Sequence, residues 1–188
     1  MPQPVPSSEI AARAYRCPAR LESQATGHWH YVTYGLSEPY VPLPEADPSV
    51  SGWGFELTMR VAREAASTAP QWPFSVLNQI ARHINRTGVP LDPSHRMDVH
   101  APVTGYPHID GALDTNLTVL AVLTDPELGE ISTPNGKVSF LQFVGVTAQE
   151  NEQMVASSTA AVLNELARGN PLLITDPSRV PNGADPHE

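Results

Sequence analysis

Hydrophobic and polar positions along this chain follow two distinct periods, and each period marks an element. Trp53, Phe55, Leu57, Met59 and Val61 alternate with Gly54, Glu56, Thr58 and Arg60, the period of a half-buried strand. Residues 28–36 are rich in aromatic and β-branched types and predict another strand. Leu117–Leu123 is a continuous apolar run closed by Thr124-Asp125-Pro126, which predicts a strand buried on both faces. A further strand, Val138–Val146, follows the turn Pro134-Asn135-Gly136-Lys137, where Asn-Gly readily takes the positive φ of a hairpin. The helical period appears at 73–86, where Phe74, Leu77, Ile80, Ala81 and Ile84 form one stripe between Pro73 and the stop Gly88.

Thr147 and Glu150 spell a capping box for a helix running through Met154, Val155, Ala161, Val162 and Leu166 to about Arg168, with Gly169 at its end. Weaker patterns predict a short helix over Glu9–Arg16 capped by Ser8, extended pieces near 96–100 within an irregular 89–116, and a last strand at Leu172–Thr175. Strands and helices neither alternate strictly nor repeat. The expected fold is α+β, a single domain with a mixed β-sheet flanked by helices.

Composition sets the limits of that domain. The chain has 188 residues, 40% hydrophobic and 16% charged, which is globular and fits one core. Its 20 prolines crowd the termini and the 39–48 segment, where a missing N–H does no harm. The expected organisation is a partly flexible 1–26, a folded 27–176 and a flexible tail over 177–188. The net charge of −9 argues against nucleic acid and anionic membrane, both of which need cations to meet phosphate; a basic protein partner is compatible with it. Cys17 is the one cysteine, so neither a disulfide framework nor a thiolate metal cluster is expected. No basic leader or apolar run of about 18 residues is visible, which points to the cytoplasm.

Candidate chemistry is thin. His28 and His30 lie two apart on a strand and share a face; with His95, His100 or His108 they are the start of a two-histidine metal site, and a metal-dependent enzyme is the alternative they support. Against it, two histidines beside Trp29 on a sheet are ordinary hydrogen-bonding neighbours. Asp92, Asp98, Asp110 and Asp114 offer an acid/base pair, but Asp92-Pro93 and Asp125-Pro126 read as turn formers. Cys17 is better placed as a small apolar filler than as a nucleophile. Gly52-Trp53-Gly54 leads into a strand, so it lacks the helix N-terminus of a dinucleotide fingerprint and instead suggests a bend or a close backbone approach. Catalytic residues, metal ligands and cofactor are accordingly assigned as none. Trp29, Tyr31, Tyr34, Tyr40, Trp53 and Trp72 are divided between core and a possible interface.

The phrases themselves carry a resemblance. His28-Trp29-His30-Tyr31, Gly52–Arg60, Pro70-Gln71-Trp72-Pro73, Ala81-Arg82-His83, Leu123-Thr124-Asp125-Pro126, Thr133–Thr147 and Leu173-Ile174-Thr175-Asp176 occur in an order that resembles the Suppressor of fused (SUFU) domain across about 27–176. The resemblance implies a non-catalytic interaction module. In the animal protein this domain and a separate C-terminal domain clamp a peptide that adds as a strand; with the match ending at Asp176, the second jaw is expected to be missing. The animal surface uses a Tyr where this chain has His83, and an Asp before a His where Ser94-His95 stands. Single-domain members look bacterial and are associated with neutralising toxins, which implies an immunity protein. A housekeeping scaffold is the other binding role. The expected contact surface is the 82–108 region with the neighbouring strand 53–61, and Arg82, His83, Ser94, His95 and His100 are its candidate residues.

Overall fold

In the computed structural model, which describes residues 11–17, 27–38, 49–63, 68–106 and 110–179, the strand-period segments form one seven-stranded mixed sheet. Its strands are β1 (Ala11–Cys17), β2 (His28–Tyr34), β3 (Val50–Ala62), β4 (Arg96–Asp98), β5 (Leu117–Thr124), β6 (Glu130–Thr133) and β7 (Gly136–Thr147). They lie in the order β1-β2-β3-β7-β5-β4, with β6 paired to β7. Only β3 and β7 run parallel; the other pairs are antiparallel. Three helices accompany them: α1 (Trp72–Thr87), α2 (Ala148–Ala156) and α3 (Thr159–Gly169). No helix among the described residues is long and apolar enough to cross a membrane.

The sheet buries both faces. Phe55, Leu57, Met59 and Val61 of β3 join Tyr31, Leu120, Val122, Leu141 and Phe143 in a core against the α1 stripe of Val76, Leu77, Ile80, Ala81 and Ile84. The intervening residues of β5 and β7, Val119, Ala121, Val144 and Val146, pack on the other face against Met154 and Leu163 of α2 and α3. The two-faced burial predicted for 117–123 is therefore present. It extends to β3, whose Glu56, Thr58 and Arg60 are buried as well. The half-buried reading of 53–61 is corrected from Phe55 onward: the strand has neighbours on both sides, α1 on one face, and the loop after β2 and the Asp125 turn on the other, so it has no wet side.

Four local expectations hold. Pro73 sits in the first turn of α1, and Gly88 ends the helix at φ 70°. The Thr147–Glu150 capping box is formed in both directions. Gly52 does permit a close approach, since a Cβ there would lie 2.5 Å from the Leu36 carbonyl oxygen. The 134–137 turn forms a hairpin, although only Gly136 of its residues takes positive φ.

Three expectations fail. Residues 9–16 were expected to be helical, but Ala11–Cys17 is a strand paired residue for residue with β2; a free sheet edge outcompetes the weak local helix signal. The long helix to Arg168 is broken at Ser157–Ser158, because the Ser158 side chain caps a new helix by accepting the Ala161 N–H. Leu172–Thr175 is not a strand. It makes one bridge, Thr175 beside Val61, where β3 and β7 part. The expected tail starts with a bonded stretch: Thr115 Oγ1 donates to the Pro177 carbonyl, and Arg179 bonds Glu150 and the Gly145 carbonyl. The 39–48 loop and His108 lie outside the described residues.

Candidate protein-binding surface

The expected surface divides into an open part and a closed part. Strand β3 is closed from Phe55 to Val61: it is paired to β2 and β7 and those residues are buried, so that stretch offers nothing to a partner, while Trp53 and Gly54 are half-buried. That half of the expectation is corrected. The open part is β4, which among the described residues stands at the end of the sheet with β5 as its one strand neighbour.

Its geometry follows from its two ends. Val122 accepts the N–H of Ser94 (2.8 Å) and donates its own N–H to the carbonyl of His95 (2.9 Å). Two residues thus oppose one, and Ser94 has φ 79°. This is a β-bulge with serine at a left-handed position that usually holds glycine. The Ser94 carbonyl accepts the Thr159 hydroxyl of α3 (3.0 Å), and the same hydroxyl accepts from Arg96 (2.9 Å), which pins the bulge to the helix. Beyond β4, Val99 donates to Thr118 (3.0 Å), and His100 turns at φ 54°. Asp98 supports that turn by accepting the His100 N–H (2.8 Å).

The antiparallel period now decides which groups are free. His95 and Val99 address β5, so Met97 does too, and Arg96 and Asp98 turn their backbone groups outward. Met97 and Val99 pack into the α1-side core. Arg96, Asp98 and His100 are exposed.

The five candidate residues therefore fall in two groups. Ser94, His95 and His100 flank β4, all exposed; Arg82 and His83 are exposed on α1. No hydrogen bond or ion pair of these residues joins the groups: His83 faces Arg86 (3.3 Å) and His95 takes the Asp92 N–H (3.2 Å). The Trp53 indole donates to Asn85 of α1 (2.7 Å), while Tyr31 and Phe74 stack edge to face. Those aromatics serve the core.

Sequence reasoning missed the polar centre on the opposite face. Arg60 Nη1 and Nη2 donate to Asp125 at 2.7 and 3.0 Å, and Nη2 also to Glu127 (3.0 Å). Thr58 Oγ1 donates to the same carboxylate (2.8 Å), and Arg60 also bonds Gln142. His30 Nε2 stands 3.2 Å from Asp125 Oδ2, where an ionised carboxylate can only accept. Burial alone pushes the Asp125 carboxyl up. The hydrogen bonds from His30, Arg60 and the Leu128 N–H, with the Arg60 charge, outweigh it and hold the group far below the carboxylate range. His30 is thus committed beside a guanidinium, a poor neighbour for a metal ion, and no group of three His, Cys, Asp or Glu suited to a metal occurs among the described residues. Arginine at an alternating position of a strand with an apolar neighbour on each side was the available signal.

Comparison with known proteins agrees with this architecture. The human Suppressor of fused homolog is 32% identical over 162 residues, which is 81% of this chain and 32% of that protein. The chain therefore spans about a third of the length of that relative. Among solved structures, the Sufu–Fu complex superposes with TM-score 0.78 at 32% identity, covering 90% of this chain and 75% of that one. Drosophila Suppressor of Fused gives the same TM-score and identity over 90% of this chain and 42% of its own. The family model described as Suppressor of fused protein (SUFU) matches residues 12–180, and the chain belongs to that family.

Proposed function

We propose that this domain is a non-catalytic protein-binding module that takes a partner segment on the free edge of β4, and that the partner is a toxin domain it neutralises. The observation that carries the binding reading is the edge itself. Two outward-facing residues, Arg96 and Asp98, are framed by non-glycine residues in left-handed conformation, Ser94 and His100. Each such residue costs roughly 1 kcal/mol, and strain of this kind gathers where a surface is shaped for use. An added strand would draw affinity from backbone hydrogen bonds and selectivity from side chains. The Sufu–Fu complex supports the class of function, as a relative bound to another protein. Toxin neutralisation extends that reading to a compact acidic domain with Arg82, His83, Ser94, His95 and His100 as contact residues.

The test is affinity purification from host lysate, read by mass spectrometry, with two variants beside the wild type. Asp98→Pro deletes one outward N–H and leaves the bonds to β5 intact; the second variant replaces Arg82, His83, His95 and His100 with alanine. The reading expects one stoichiometric partner with a toxic catalytic domain, lost with both variants, whose toxicity in cells is relieved by co-expression of the wild type. A partner of ordinary function favours the scaffold role. A partner held equally by both variants moves the interface off β4.

A further inference from the structure

Glu150, in the first turn of α2, is a buried carboxylate whose position is set before any cation reaches it; its side chain is 9% exposed. Oε2 accepts the Thr147 N–H (2.8 Å), and the Glu150 N–H donates to Thr147 Oγ1 (3.2 Å). Arg179 then adds a forked contact, Nη1 to Oε1 and Nη2 to Oε2 (2.8 Å), with Nη2 also 3.4 Å from the Gly145 carbonyl oxygen.

The two partners are not equally fixed. Glu150 belongs to a helix that packs on the sheet through Met154. Arg179 stands on a turn: its N–H donates to the Asp176 carbonyl (3.1 Å), and Asp176 Oδ1 accepts the Ser178 N–H and hydroxyl (2.9 and 2.6 Å). Among the described residues, only the guanidinium joins residues 178–179 to a helix or strand by hydrogen bonds. Thr147 and Glu150 also line a cleft of about 320 Å³ between α2 and α3, within the size range of ligand sites. Gln149 and Gln153 bring amides to it from α2, while Val162 and Leu166 bring an apolar wall from α3. A second carboxylate, Glu165, lies in the lining beside Arg168 (2.8 Å), and no cation is among the lining residues.

We propose that Glu150 anchors an arginine-binding site, at which an arginine of a basic partner segment exchanges with Arg179 while the residues flanking it lie in the α2–α3 cleft. The anchor selects arginine. Both carboxylate oxygens are engaged by separate nitrogens of one planar fork, a geometry that an ammonium does not reproduce. The cleft supplies the rest of the affinity. Arg179 is tethered, which gives it an effective concentration of about millimolar, so a lone arginine displaces it poorly. A segment that also packs on Val162 and Leu166 and bonds the amides of Gln149 and Gln153 overcomes that competition. The net charge of −9 favours the approach of a basic segment. Binding here requires nothing of the β4 edge.

The first arm of the test uses the full chain carrying Arg179→Ala, whose melting temperature should fall by several degrees. About 10 mM N-acetyl-arginine methylamide should restore roughly half of that loss, given about millimolar affinity for the folded state. The citrulline and lysine counterparts should restore no more than sodium chloride does, and Glu150→Gln in the same variant should abolish the response. In the second arm, heptapeptides with a fixed central arginine are selected on the wild-type chain. Binders should shift the Arg179 Hε resonance to that of a solvated arginine. They should bind Arg179→Ala about tenfold more tightly, because the internal competitor is gone. Gln153→Arg, which sets a cation in the cleft, should weaken them about tenfold. No arginine-specific recovery in the first arm overturns the site. Recovery without a wild-type binder confines Glu150 to its own chain and overturns the exchange. Binders that leave the Arg179 resonance in place and ignore Gln153→Arg overturn it as well, and those two readouts decide even where Arg179→Ala does not fold.

Discussion

Arg60 of β3 and Asp125 of the turn after β5 face each other through two hydrogen bonds with neither side chain exposed to solvent. They lie 65 residues apart in sequence and tie two strands of the sheet that are not neighbours, with β7 between them. The turn depends on the same carboxylate, because Asp125 Oδ1 accepts the N–H groups of Glu127 and Leu128, each at 2.9 Å.

Removing one partner of such a pair strands the other. Asp125→Asn is expected to cost about 3–5 kcal/mol, measured by urea unfolding, and Arg60→Met in the same chain should recover part of that loss. A single-variant cost under about 1 kcal/mol would show the pair to be better solvated than its burial indicates. Acid adds a second readout. The folded-state pKa of Asp125 lies below the unfolded one, so its stabilisation is complete above about pH 4 and drains away as pH falls further. The wild type should lose stability steeply below that point, and Asp125→Asn should show a shallower slope.

Gly145 marks where the chain's last described segment enters the fold. Its N–H donates to Thr175 Oγ1 (3.0 Å), and a Cβ there would stand 2.8 Å from Thr175 Cγ2 and 3.0 Å from Leu117 Cδ1. Gly145→Ala should therefore destabilise by about 1–3 kcal/mol through overpacking. Thr175→Ser removes the offending methyl and keeps the hydroxyl, so a double-mutant cycle should show favourable coupling. Simple additivity would mean that Leu117, not Thr175, resists the methyl.

Glu56 organises the loop after β2. Its carboxylate accepts Thr33 Oγ1 and Ser37 Oγ, each at 2.6 Å, and the N–H groups of Gly35 and Ser37, each at 2.9 Å. In Glu56→Gln an NH2 group would confront donors, and the loss should be about 1–3 kcal/mol. Amide exchange at Gly35 and Ser37 should accelerate selectively; unchanged exchange there would show the loop to be held by other contacts.

Ser94→Gly relieves a left-handed serine whose side chain has no hydrogen bond among the described residues. Thermal melting should reveal a gain of up to about 1 kcal/mol, strain relief being offset in part by backbone entropy. A clear loss instead would mean that the serine side chain holds the bulge.

Truncation after Asp176 removes Arg179, whose guanidinium pairs with Glu150 and reaches the Gly145 carbonyl. Burial alone raises the Glu150 carboxyl, but bonding to Arg179 and Thr147 holds it below its ordinary value. Truncation after Arg179 should preserve the melting temperature, and truncation after Asp176 should lower it by several degrees, about 1 kcal/mol or more. Equal melting of both products would make the ion pair incidental.

Much of this fold was legible in order and type. The stripe from Phe74 to Ile84, the apolar run at Leu117–Leu123 and the Thr147–Glu150 box are local patterns, and α1, β5 and the start of α2 appear where they place them. Local periodicity also established α+β and the absence of repeats. Partner strands were not legible. A strand's sequence shows which side chains alternate, but its neighbours come from the whole sheet, and only those neighbours made β1 a strand, buried Glu56 and Arg60, and left β4 at the edge. The candidate surface followed the same division. Arg82 and His83 at the end of a predicted helix and Ser94, His95 and His100 in the irregular 89–116 could be singled out through the family resemblance, whereas the closing of β3 and the edge position of β4 are properties of hydrogen-bond pairing at long range. Backbone groups are identical in every residue, so their availability to a partner is decided by tertiary structure alone.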